Sequence, residues 1–220
     1  MSQRTAVLRT LALAIPPSAG HPVRVAVDGM TGVGKTHLRS ELAELLRAEG
    51  RTVLEASGDD FHHQRERRWA QGRHSSRGYY EDAYDYAALA DKVLRPLGPG
   101  GDRRIVLKHH DLESDALLAP EPITVPADAV VVVDGSFLLR PEVSDLWEVH
   151  ILITASRAAS IARQQARDGS PADVADPYYA RYFGAYDIYV AERSPGARAD
   201  VTVDNSAFHA PVAVSRSLKP

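Results

Sequence analysis

The sequence predicts one doubly wound α/β domain, and three observations predict it. A β-branched strand breaks into glycines and then a helix at "VRVAVDGMTGVGKTHLRSEL" (23–42). Four consecutive valines at 130–133 run straight into Asp134. Strand-like and helical stretches alternate along most of the chain, which implies a central parallel sheet flanked by helices on both faces.

The 220 residues suffice for one domain with a full core and are short for two. We therefore expect a single domain over 1–220, with a short N-terminal helix within 1–20 and a core over 21–205. Apolar residues at 44% and charged residues at 25% are ordinary globular values. A net charge of −3 speaks against a general nucleic-acid binder, which carries a basic excess. Cysteine is absent, which excludes disulfides, a thiolate zinc site and a cysteine nucleophile, and fits a reducing compartment.

Taken in order, "AVLRTLALAIPPSAG" (6–20) is interrupted by Arg9 and ended by Pro16 and Pro17. It reads as a short amphipathic helix rather than a leader or a span. No stretch reaches membrane-spanning length, so a soluble, cytoplasmic protein is expected. Leu38, Leu42, Leu45 and Leu46 share one face of a helix that Gly50 ends. "RTVLEAS" (51–57) is a second strand leading into "GDDFHH" (58–63). "DAYDYAALADKVLRPL" (82–97) reads as a helix stopped by Pro96 and the glycines after it. "VHILITA" (149–155) is a strand, "SRAASIARQQARD" (156–168) a helix and "ADVTVDN" (199–205) a last short strand.

Gly29-x-x-x-x-Gly34-Lys35-Thr36 has the spacing of a phosphate-binding P-loop. Glycines let successive N–H groups turn inward and cradle phosphate oxygens at a helix N-terminus. Gly29, Thr31, Gly32, Val33, Gly34, Lys35 and Thr36 are thus the candidate ATP-binding residues. Lys35 would reach the β- and γ-phosphates and Thr36 would ligate Mg²⁺. Asp59 stands where the second strand ends, and an aspartate there could take the proton of an attacking hydroxyl. Gly-Asp-Asp is equally good turn chemistry. Asp134 ends the valine strand, where a carboxylate can hold Mg²⁺, or simply open an Asp-Gly turn. Thr36, Asp59 and Asp134 are the candidate metal ligands.

With those residues in place, the chain from Val23 to about Asn205 resembles the uridine kinase and phosphoribulokinase family of P-loop kinases. Asp59-Asp60-Phe61-His62 is similar to the family's acidic strand-end segment and makes Asp59 the base. Asp82-Ala83-Tyr84-Asp85 resembles the segment beside the acceptor pocket, and Asp134-Gly135-Ser136-Phe137 the segment after the buried strand. The helix at 156–168 resembles the arginine-rich lid, with Arg163 and Arg167 over the phosphates and a lid over about 157–180. Ala199-Asp200-Val201 matches the family's late strand. The resemblance implies an ATP- and Mg²⁺-dependent kinase with Asp59 and Lys35 catalytic. Phe61, His62, Tyr79 and Asp82 would contact a small-molecule hydroxyl acceptor, foremost a nucleoside such as uridine.

The chain departs from the family at "DGSPADVADPYY" (168–179), where an Arg-Gly-Arg element is usual, and at His110-Asp111-Leu112, where the match is loose. "RERRWAQGRHSSR" (65–77) carries Arg65, Arg67, Arg68, Arg73 and Arg77 against one acid. It reads as a solvated face or as a clamp for an anionic acceptor, which would favour a phosphorylated sugar or another small anionic alcohol. A regulatory P-loop NTPase or a nucleic-acid-binding module are the readings from other classes. Against a GTPase, there is no Asn-Lys-x-Asp segment. His62-His63 and His109-His110 lack the spacing of a zinc site. A homo-oligomer is left open.

Overall fold

The computed structural model of the chain describes residues 2–215. Its main elements in order are α1 (Gln3–Ala14), β1 (Val23–Gly29), α2 (Lys35–Ala48), β2 (Val53–Ser57) and α3 (Ser76–Asp82). Next come α4 (three fused segments, Tyr86–Leu89, Ala90–Leu94 and Arg95–Leu97) and β3 (Val130–Gly135). The chain continues with β4 (Val149–Thr154), α5 (Arg157–Asp168), α6 (Pro177–Arg193), β5 (Val201–Asp204) and β6 (Val212–Ser215).

The strands form one sheet in the order β6-β5-β4-β1-β3-β2, parallel throughout except for the antiparallel edge strand β6. The register sets Val27 beside Asp134 and Asp134 beside Ser57, so the sheet's carboxyl edge gathers the ends of β1, β3 and β2. The β3 valines alternate as strand geometry requires. Val130 and Val132 pack with Leu38, Leu42 and Leu46 of α2, while Val131 and Val133 face Phe61, Tyr84 and Leu89 on the other side. Each fully buried valine contributes about 1.5–3 kcal/mol. Because both faces are covered, β1 and β3 are buried at every position.

The N-terminal helix is present, capped by the Ser2 hydroxyl, and buries Val7 and Leu11. Arg4 fastens it to α2 and to the late loop, donating to Glu41 at 2.7 Å and to the Phe208 carbonyl at 2.8 Å. Among the described residues, no helix is long and apolar enough to cross a membrane.

Two segments differ from expectation. The helix foreseen over 82–97 starts at Tyr86, because Asp82 ends α3 and residues 83–85 pair with residues 61–63, just after the Gly58–Phe61 turn. There the Asp85 N–H donates to the Phe61 carbonyl (2.7 Å) and the Asp85 carboxylate caps Ala88 (2.9 Å). The lid foreseen over 157–180 divides into α5, a loop and the first turn of α6, whose 17 residues were not anticipated as a helix. α6 lies close along α3: a Cβ on Gly184 would collide with the Ser76 hydroxyl. Edge strand β6 and helix α3 were also unforeseen.

Candidate active site

At the carboxyl edge of β1 the backbone turns through Gly32 (φ +74°) and Gly34 (φ +98°), left-handed angles that side chains resist. Space is closed as well. A Cβ on Gly32 would lie 2.6 Å from the Ser160 carbonyl oxygen, and one on Gly34 2.8 Å from Asn205 Nδ2. This cradle, opening the N-terminus of α2, suits a triphosphate. Ser160, fully buried on α5, donates to the Thr31 carbonyl at 2.5 Å and so docks α5 on the loop.

Lys35 Nζ donates to the carbonyls of Gly29 (2.9 Å) and Met30 (3.0 Å) and approaches Ser136 Oγ at 3.4 Å. Desolvation lowers its pKa, opposed by the carboxylates of Asp59, Asp134 and Asp28. The Thr36 hydroxyl donates to Asp134 at 2.6 Å, and Arg39 donates to the other oxygen of that carboxylate, also at 2.6 Å. Asp134 is 3% exposed at its side chain, so β3 delivers an almost dehydrated acid beside the loop. Among the described residues no cluster of three or more His, Asp or Glu could hold a metal alone. Thr36 and Asp134 fit the partial oxygen shell that Mg²⁺ takes when phosphates complete it.

Across the cleft from Lys35, Asp59 is exposed and accepts from the Tyr84 hydroxyl at 3.2 Å. Tyr84 in turn hydrogen-bonds Tyr79 (2.9 Å), and burial raises the pKa of both phenols, keeping them neutral. His62 Nδ1 lies 2.8 Å from the Asp59 carbonyl oxygen, so Nδ1 carries the proton and Nε2 keeps its lone pair. Burial, chiefly, pushes the His62 pKa down.

These groups line one cleft of about 780 Å³, which holds Thr31, Gly32, Gly34, Lys35, Thr36, Asp59, His62, Tyr79, Asp134, Arg163 and Arg167 from the sequence expectations. Gly29 and Val33 contribute backbone beneath it: the Val33 carbonyl accepts from Asn205 Nδ2 (2.7 Å) and Arg163 Nη1 (3.3 Å). Arg163 also donates to the Asn205 carbonyl at 2.6 Å, so its guanidinium braces backbone. Arg167 forks onto Asp168 at 2.5 and 2.6 Å.

Two expected substrate contacts lie elsewhere. Phe61 is fully buried in the core, and Asp82 turns away to Gln71 at 2.8 Å; neither lines the cleft. Of the arginine run, Arg68 alone reaches the cleft. Arg65 and Arg73 stack on Trp69 (5.2 Å each), Arg77 pairs with Glu192 (2.7 Å), and Arg67 lies 3.9 Å from Asp82. Sequence reasoning missed Arg39 and Arg181. Arg39 stands four residues after Lys35, on the same helix face, which was a usable signal. Arg181 gave none.

No family model and no curated protein matches the chain. Solved structures do. A Bacillus stearothermophilus protein described as a possible uridine kinase has a TM-score of 0.69 and 22% identity, over 91% of this chain and 96% of that one. A Silicibacter sp. TM1040 protein, provisionally a fructose transport system kinase, has a TM-score of 0.65 and 23% identity, over 90% and 96%. D-glycerate 3-kinase from Cryptococcus neoformans var. grubii has a TM-score of 0.57 and 14% identity, over 97% and 98%. At these identities the likeness is one of fold. The chain shares its α/β fold with these solved structures, a possible uridine kinase among them.

Proposed function

We propose that the protein is an ATP- and Mg²⁺-dependent kinase that phosphorylates a hydroxyl of a small molecule. One observation carries this reading: a carboxylate with no ion-pair partner among the described residues, Asp59, shares a cleft with a P-loop and faces a pocket walled by His62, Tyr79 and Tyr84. A regulatory NTPase has no use for that pocket. The names of the similarly folded proteins, a possible uridine kinase and D-glycerate 3-kinase among them, are in keeping with small acceptors of different chemistry.

In this reading the amides around Gly32 and Gly34 hold the triphosphate, and Lys35 leaves the carbonyls of Gly29 and Met30 to meet it. Thr36 and Asp134 would hold Mg²⁺, which supplies charge neutralisation on the phosphates when bound. Asp59, oriented by Tyr84, accepts the proton of the acceptor hydroxyl as its oxygen forms a bond to the γ-phosphorus. The bond from that phosphorus to the β,γ-bridging oxygen breaks, and ADP leaves with the electron pair. Lys35 and Arg167 balance charge on the transferred group. α5 and the start of α6 exclude water, which would otherwise take the phosphoryl group.

The test is Asp59→Asn, which keeps an acceptor for the Tyr84 hydroxyl. Acceptor-dependent ADP release should fall about 10²–10⁴-fold while ATP affinity holds. Unchanged turnover would remove Asp59 from the base role.

A further inference from the structure

One end of the cleft carries two guanidiniums, Arg68 and Arg181, whose donors are only partly used among the described residues. Arg181, on α6, has no hydrogen-bond or ion-pair partner among the described residues, and its Nε is buried and unsatisfied. Its guanidinium carbon lies over two aromatic rings, 4.7 Å from the Tyr79 ring centre and 5.4 Å from that of Tyr182. Arg68 also lines the cleft, its side chain only 10% exposed. It gives Nη2 to Asp115 at 3.0 Å, but its Nε too is buried and unsatisfied. Asp115 also takes the Arg65 N–H (2.9 Å) and His110 Nε2 (3.2 Å), so its charge is shared.

The acids of the cleft do not answer these two cations. Asp134 serves Thr36 and Arg39, and Asp168 serves Arg167. Asp59 is tied to Tyr84 and stands at the reacting end. Buried donors left unmade are costly, and guanidinium forks are shaped for carboxylate and phosphate oxygens. The position is set as well. Arg181 lies over Tyr79, which bonds Tyr84, which bonds Asp59, so two tyrosines link the charge to the base.

We infer that the acceptor carries an oxyanion, a phosphate or a carboxylate, gripped by Arg68 and Arg181 while its hydroxyl meets Asp59. The inference deepens the kinase reading and rests on it for the hydroxyl that reacts. A neutral nucleoside, the acceptor favoured by the sequence resemblance, would leave Arg181 without an anionic partner and Arg68 with Asp115 alone.

Calorimetric titration of the full chain with matched pairs tests this: ribose against ribose 5-phosphate, glycerol against glycerate, and uridine besides. The phosphate and carboxylate arms separate the two oxyanions. At least one anionic member should bind about tenfold or more tightly than its neutral partner. Arg68→Gln and Arg181→Gln should each weaken that binding about tenfold at unchanged ATP affinity. Arg181→Lys should recover part of it, which a folding defect would not. Uridine or a neutral member binding as tightly, no anion binding, or a loss falling on ATP instead would each overturn the inference. ADP release measured alongside keeps the two readings apart. Anion binding without acceptor-stimulated release would uphold the site and remove the kinase reading, and release with uridine alone would do the reverse.

Discussion

Arg39 and Asp134 form an ion pair of 2.6 Å behind the phosphate loop, and the second oxygen of that carboxylate takes the Thr36 hydroxyl. The acid that would face Mg²⁺ is therefore already neutralised by a guanidinium on the helix that the loop initiates. Arg39 reaches further, donating to Glu55 at 3.1 Å and to the Ala56 carbonyl at 3.1 Å, so α2 is tied to both β2 and β3.

Arg39→Met strands a buried carboxylate and should cost about 3 kcal/mol of stability without ligand. Mg²⁺ with ATP should recover much of that loss by supplying the missing positive charge. Urea midpoints with and without Mg²⁺ and ATP check both halves, and a wild-type midpoint in the ligand-free variant would sink the argument.

Lys35→Met should behave in the opposite way. Burial disfavours the ammonium, so removing it should leave the midpoint near wild type. ATP affinity should fall about 10- to 100-fold, the worth of charge-assisted hydrogen bonds. Equilibrium dialysis with labelled ATP reads the loss; full retention would refute the phosphate role.

Gly32→Ala combines a left-handed φ of +74° with a Cβ driven to 2.6 Å from the Ser160 carbonyl and hydroxyl oxygens. The strain alone should cost about 1–3 kcal/mol. Because Ser160 docks α5 on the loop, ATP binding and protection of α5 from amide exchange should weaken together. Exchange confined to the loop would argue against that coupling.

Acid should destabilise the protein before its carboxylates titrate. Burial, first, lowers the pKa of His62, His63 and His109 from the ordinary value near 6.5. Above that value the imidazoles are neutral in both states and cost nothing. As pH falls below it, the unfolded chain binds protons first, so stability drops until the folded values are passed. Carboxylates held low, such as Asp115 and Glu55, add their loss only at more acidic pH, and Asp60, raised by burial, acts in the other sense there. Thermal midpoints should decline between about pH 6.5 and 5. His62→Gln should flatten part of that slope, and a flat wild-type profile would refute it.

Local chemistry made part of this legible in advance. Glycine spacing, the four valines and the acids that end β2 and β3 announce the loop, the buried strand and the ends of the sheet, because each is dictated within a few residues. The contacts of Phe61 and Asp82 were not legible. Whether they face the cleft depends on residues 83–85 pairing back onto residues 61–63, a tertiary event. α6 had signals that its tyrosines masked: Asp176 caps its start, accepting from the Tyr178 N–H at 2.8 Å, and Pro177 takes the first helical position. Arg181 gains its meaning only when α6 lies beside α3.

That contact between Gly184 and Ser76 has a corollary for how such a protein can change. Tyr79 rides on one helix and Arg181 on the other, with no room for a side chain between them. Under the proposed function, selectivity and closure would thereby be inherited as a linked trait. A mutation that prises the two helices apart retunes which molecule is accepted and how tightly the chamber seals in one stroke, so neither can drift alone.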